Sequence, residues 1–198
     1  MNNPDKPQPA SARVEPRVIP PHGGYRNLKS YQMAEIIHDA TVVFANRFVD
    51  RFSRTRDQMV QAARSGKQNI AEGSMASGTS KKTELKLIGV ARASLEELLL
   101  DFQDYLRQHK LPLWPKDHAK AKEIIALAYR SDRSYLTYKT YFEEKEPEVA
   151  ANAAICLIHQ TNYLLDQQLR ALEKEFLKEG GFTEKLYRVR SQARKRKE

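Results

Sequence analysis

Residues 64–73 read Arg64-Ser-Gly-Lys-Gln-Asn-Ile-Ala-Glu-Gly73, and they lead through Ser74-Met-Ala-Ser-Gly78 into a stretch that runs from Ser80 to Leu106. In the first part Ala62, Ala63, Gly66, Ile70 and Gly73 recur at steps of three and four, so small side chains line one face of a helix. Glycine inside a helix costs about 1 kcal/mol relative to alanine, and Gly66 therefore predicts a second backbone passing close by. Gly73 and Gly78 punctuate the turn where this helix is expected to stop. Ser80, with Glu84 in the first turn, restarts a long helix over about 80–108. There Ile88, Ala91, Leu95, Leu98, Phe102 and Tyr105 step by 3, 4, 3, 4, 3, the seam of an antiparallel helix pair or bundle.

Working outward, Tyr31 to Phe52 reads as a first helix, with Ser30 as N-cap and a stripe of Ala34, Ile37, Thr41, Phe44, Phe48 and Phe52. Residues 1–24 hold six of the nine prolines and few large apolar groups, which predicts a disordered lead. Pro112 and Pro115 end the long helix. Residues 117–143 read as helical with a break near Ser131-Asp132. Their aromatic cluster, Tyr129, Tyr135, Tyr138, Tyr141 and Phe142, alternates with Arg130, Arg133 and Lys139. Such alternation suits base stacking, but tyrosines at the edge of a core are the commoner use. Pro147 opens a last long helix. Its seam is Ala151, Ile155, Ile158, Asn162, Leu165, Leu169, Leu172 and Phe176, with Asn162 as the one polar member, a device that fixes helix register. Gly180-Gly181 closes it. Phe182, Leu186 and Val189 then suggest a short docking helix, with arginines from Arg188 onward reaching into solvent.

The chain has 198 residues and a formal net charge of +9, which favours polyanionic partners, RNA or DNA first. From Phe182 on, seven cations face two carboxylates, so the tail carries +5 of that charge. The lone cysteine, Cys156, sits in an apolar helical run and reads as a small buried hydrophobe, which excludes a disulfide framework or Cys-based zinc site. No apolar run approaches the ~20 residues of a membrane span, and no secretory leader is evident, so a cytoplasmic, membrane-free protein is expected. A di-metal bundle needs two Glu-x-x-His pairs. Glu35-x-x-His38 is the single example. The run Gly73 to Ser80 lacks the lysine of a phosphate-binding loop and follows a helix instead of a strand. The chain therefore reads as non-enzymatic, with no catalytic residue, metal or cofactor.

Asn69-Ile-Ala-Glu-Gly73, the basic turn after it and Ala93-Ser-Leu-Glu-Glu-Leu98 resemble the signature of a four-helix-bundle family. That family holds the 23S ribosomal RNA intervening-sequence proteins and the accessory variability determinant proteins of diversity-generating retroelements. The resemblance covers residues 28–110 and the final helix at 147–178; residues 112–146 and 180–198 go beyond it, as in longer members with a suffix. It implies an all-α, up-down four-helix bundle over 25–179, with a helical insertion at 112–146 and a basic C-terminal suffix at 180–198. It further implies a pentameric ring that assists a reverse transcriptase by engaging the enzyme and its template RNA. The candidate nucleic-acid contacts are Arg54 and Arg56 at one connection, Lys81, Lys82 and Lys86 at the next, and Arg188, Arg190, Arg194, Lys195 and Arg196 in the tail. An up-down path puts the two connections at opposite ends. Gly66, Ile70, Gly73 and Asn162 are the candidate packing and oligomer-interface positions. The competing reading is a protein-interaction module whose charge only keeps it soluble.

Overall fold

A computed structural model describes residues 19–195, and every regular element among them is helical. The elements are α1 (Lys29–Phe48), α2 (Arg54–Ala76), α3 (Lys81–Gln108), α4 (Ala119–Leu127), α5 (Tyr135–Glu143), α6 (Pro147–Glu179) and α7 (Phe182–Lys195), preceded by a 3-10 turn at Tyr25–Asn27. α2 packs on α1 and α3, and α6 packs on the same two from the other side. Their shared core holds Phe44, Met59, Ile70, Ile88, Leu95, Leu98, Phe102 and Ile158, all fully buried. Phe44 anchors one end of it, edge-on to Phe102 and Tyr105 at ring separations of 4.9 and 4.8 Å.

The α2–α3 contact is the closest-built part. An ideal Cβ on Gly66 would lie 2.7 Å from Leu95 Cδ2 and 2.9 Å from its Cγ. The intruding group is thus a side chain, with the Ala91 carbonyl behind it at 3.7 Å. Gly73 does not stop α2. Its missing Cβ makes room for Ile88 Cδ1, at 3.3 Å, and the helix runs on to Ala76. Ser80 caps α3 by accepting from the Thr83 amide at 3.2 Å.

Two further expectations give way. α1 ends at Phe48 because Asp50 folds the chain into a turn: its carboxylate accepts from the Phe52 amide at 2.8 Å and its carbonyl from Ser53. Phe52 is left 79% exposed instead of on the core stripe. Ser30 lies inside α1, buried, and its hydroxyl donates to Gln168 Oε1 on α6 at 2.9 Å, so Leu28 takes the N-cap position without a side-chain bond.

The segment between α3 and α6 forms two short helices, broken over 128–134, that cover the first half of α6 and the flank of α1. Tyr138 and Phe142 enter the core, while Tyr129 stays 84% exposed. This cover explains why α6 buries a second face, Ala150, Ala153, Ala154, Leu157 and Thr161, beside its seam. Asn152 pins the connection before α4: it accepts from the Trp114 amide at 2.8 Å and donates to the Pro112 carbonyl at 2.9 Å. Gly180, at φ +75°, closes α6, and α7 continues as helix through the arginines with no buried residue. Of the proline-rich lead, residues 1–18 lie outside the described part. Residues 19–24 are placed against the end of α2, where the Gly23 amide donates to the Ser74 carbonyl at 3.2 Å.

Candidate nucleic-acid interface

The α2–α3 turn, the end of α6 and the start of α7 come together at one end of the molecule. They enclose a cleft of about 330 Å³, lined among others by Ser80, Lys81, Glu175, Glu179, Lys185 and Arg188. Lys81 is committed inside it, with Nζ 3.2 Å from Glu84 Oε2 and 3.1 Å from Glu175 Oε2. Burial alone would depress its ammonium pKa, but the hydrogen bonds and charges of the two carboxylates outweigh that and leave it raised. Glu84 is buried, and that burial raises its carboxyl pKa despite the opposing pull of Lys81. Lys81 is therefore part of a built ion-pair cluster. Lys82 and Lys86 are exposed on the same first turns of α3 and take part in no ion pair among the described residues.

α7 supplies most of the remaining charge. Phe182, Leu186, Val189 and Ala193 follow the helical repeat on one face. At 100° per residue, Lys185, Arg188 and Lys195 fall on one flank of that stripe and Arg190 and Arg194 on the other. Five cations face one carboxylate, Glu184, a net charge of +4 on a helix that buries none of its side chains. Arg188 spends one guanidinium nitrogen on the Glu179 carbonyl, which ties α7 to the end of α6. Arg196 lies outside the described residues.

Arg54 and Arg56 sit at the other end of α2, roughly 33 Å away along a helix of 23 residues. Arg56 donates to Asn46 Oδ1, and Arg54 is exposed. Nearby Arg47 donates to the Phe142 and Lys145 carbonyls and so holds the α5–α6 junction. The positions singled out for phosphate contact therefore divide into an α3–α7 group and a separate α1–α2 pair.

Gly66, Ile70 and Gly73 face α3 of the same chain, so the small-residue stripe is covered from within. Asn162 donates to Glu96 Oε2 at 3.3 Å across the α3–α6 contact, beside an Arg92 that bridges Glu96 at 2.6 Å and Asp166 at 3.3 Å. Burial pushes the Cys156 thiol up to about 11, so at neutral pH it is a protonated thiol and a poor nucleophile. His38 lies 3.3 Å from Asp39. Among the described residues, no group of three or more His, Cys, Asp or Glu side chains is arranged to hold a metal, and no helix is long and apolar enough to cross a membrane.

Lys29 and Lys116 went unmarked in the sequence, and Arg133 was marked only for its alternation with the tyrosines, yet all three stand around one cavity between α4, α6 and the start of α1. Five separate segments supply its wall, and no linear motif joins them.

Comparison with protein-family models, curated proteins and solved structures returns no match for this chain.

Proposed function

We propose that this protein is a non-enzymatic, homo-oligomeric adaptor that binds RNA through the α3–α7 end. In this reading α1, α2, α3 and α6 form an up-down four-helix bundle, α4 and α5 are a helical insertion, and α7 is the basic suffix. The observation that carries it is α7, which has a charge of +4, no buried residue, and Lys82 and Lys86 on the neighbouring helix. A helix that adds nothing to the core and concentrates cations is explained by an anionic partner. Its contacts would be to phosphates, which position a nucleic acid without reading its bases. The resemblance noted above extends the proposal to a cytoplasmic pentameric ring that presents template RNA to a reverse transcriptase. A protein-interaction module without nucleic acid is the alternative, favoured by the apolar stripe of α7.

The test is mass in solution by light scattering, with and without a structured RNA, at 50 and 200 mM salt. About six phosphate contacts give a slope of log affinity against log salt near −5 on a duplex and near −4 on a single strand. A ring-sized particle that takes up RNA at low salt and sheds it at high salt is expected. Truncation before Phe182 should abolish uptake while the helical content of the remainder is kept. Uptake unchanged by truncation removes α7 from the interface, and indifference to RNA at both salts moves the assignment to the interaction module.

A further inference from the structure

A second cavity lies away from the basic end. It holds about 710 Å³, within the range typical of small-molecule sites, and opens between α4, α6, the start of α1 and the connection that carries Trp114. Its floor is hydrocarbon: Met33 and Ile155 are core residues, and Ile125 and Leu164 continue the surface outward. Around the mouth Tyr129, Tyr163 and Leu113 are 84%, 63% and 52% exposed, an apolar rim that the chain itself leaves uncovered.

The charge around this cavity is one-sided. Lys29, Lys116 and Arg133 line it, and no aspartate or glutamate among the described residues does. None of the three belongs to an ion pair among the described residues. Arg133 is the most informative. Its terminal nitrogens donate to neutral acceptors only, the Arg130 carbonyl at 3.1 Å and Gln32 Oε1 at 3.0 Å, and its buried Nε has no partner among the described residues. A half-buried guanidinium held by neutral groups has met its orientation but not its charge, and a carboxylate is the group whose geometry matches its fork. Phosphate would match the charge too, and Gln103, His159 and Gln160 place polar groups in the wall, Gln160 Oε1 without a partner among the described residues. The hydrocarbon of Met33, Ile125, Ile155 and Leu164 is what favours an alkyl tail over a polar base. Asn152 already spends both amide hydrogens and its oxygen within the chain.

We propose that this cavity binds a single-tailed organic acid, with the hydrocarbon tail on the Met33, Ile125, Ile155 and Leu164 floor and the carboxylate among Lys29, Lys116 and Arg133. The site is separate from the α3–α7 end and does not depend on the RNA reading.

Trp114 lines the cavity and is the only tryptophan in the chain, so its emission reports this site alone. The full-length protein is titrated with decanoate, decanol and decyltrimethylammonium, each below its micellar concentration. Decanoate should give a saturable change at least about tenfold tighter than decanol, the equivalent of one modest charge pair, and the cation none. Replacing Lys29→Gln and Arg133→Gln together should bring decanoate down to the decanol level and leave decanol unchanged. Filling the cavity with Ala128→Phe should remove both responses; should that variant not fold by circular dichroism, the charge variant still decides. Equal affinity for decanoate and decanol overturns the proposal, as does saturation by adenosine monophosphate at lower concentration than decanoate, or no saturable response at all.

Discussion

Three glycines sit inside long helices with different amounts of free space, and the same substitution should therefore have three different effects. A Cβ at Gly89 meets nothing within 4 Å; at Gly73 it meets Ile88 Cδ1 at 3.3 Å; at Gly66 it meets Leu95 at 2.7 and 2.9 Å. Replacing helical glycine by alanine gains about 1 kcal/mol where the new methyl is unopposed. Gly89→Ala should show that gain in full. Gly73→Ala should fall near zero, because the Ile88 terminus yields by a few tenths of an ångström at small expense. At Gly66 the contact includes Leu95 Cγ, a branch point, on a side chain with no exposure, so relief requires a rotamer change in a filled core. Overpacking of that kind costs about 1–3 kcal/mol, and the net effect should be a loss of about 1 kcal/mol. The gap between Gly89→Ala and Gly66→Ala is then about 2 kcal/mol, or about 4–8 °C in melting temperature for a chain of this size. Thermal melts at one fixed protein concentration measure it, since association would otherwise shift the midpoint. A double-mutant cycle sharpens the result: Leu95→Ala alone should cost about 2–5 kcal/mol, and measurably less in the Gly66→Ala background, where the added methyl already fills part of the space. If Gly66→Ala melts as high as Gly89→Ala, the close approach of α2 and α3 is wrong.

Asp101 on α3 has its pKa pushed up to about 6, first by burial and then by Glu97 and Asp104. Because the folded state holds that proton more tightly than the unfolded chain, with its ordinary value of 3.8, the penalty is absent below about pH 4 and complete above about pH 6. Asp101→Asn should therefore stabilise by about 1 kcal/mol at pH 7.5, discounted for its partial exposure, and by nothing at pH 4; equal gains at both would point elsewhere. Lys81→Gln should cost about 1–3 kcal/mol in a denaturant titration by leaving Glu84 buried without its cation. Lys82→Gln with Lys86→Gln should melt like the parent but lower the RNA salt slope by about 2, and a loss of stability in that pair would place them in the fold. Asn152→Ala should cost about 2 kcal/mol by orphaning the Trp114 amide and the Pro112 carbonyl, with a red shift of Trp114 emission as the local reading.

Helical periodicity made the long elements legible because each is governed by its own stripe. The seam from Ile88 to Phe102 is buried throughout, and α6 spans Pro147–Glu179, between the proline and the glycine pair that mark it in the sequence. Where a residue answers to a distant partner, the local signal misleads. Ser30 has the chemistry of a cap, yet Gln168, 138 positions on, takes its hydroxyl. Gly73 looks like a stop signal in a linear reading, but it is spacing for Ile88 of the next helix. Asn162 stood out because it interrupts a seam. Asn152 did not, since it falls just off that seam, and its bonds to Trp114 and Pro112 exist only once the connection before α4 has packed on α6.

Charge shows the same division more sharply. Every cation counts equally in a net charge of +9, but the fold distributes their availability unequally. Lys81 and Lys82 are neighbours of identical composition. One is held between Glu84, visible three residues ahead, and Glu175, which no local pattern connects to it; the other is free in solvent. Arg47 and Arg56 are similarly occupied by carbonyl and amide oxygens. Lys29 and Lys116 carry no sequence signal, and that of Arg133 pointed to the tyrosines beside it, yet all three line one cavity with no carboxylate among the described residues of its wall. A basic surface is thus defined by which cations the fold leaves unpaired. By that criterion α7 with Lys82 and Lys86, and separately the cavity beside Trp114, are two places among the described residues where several unpaired cations lie together.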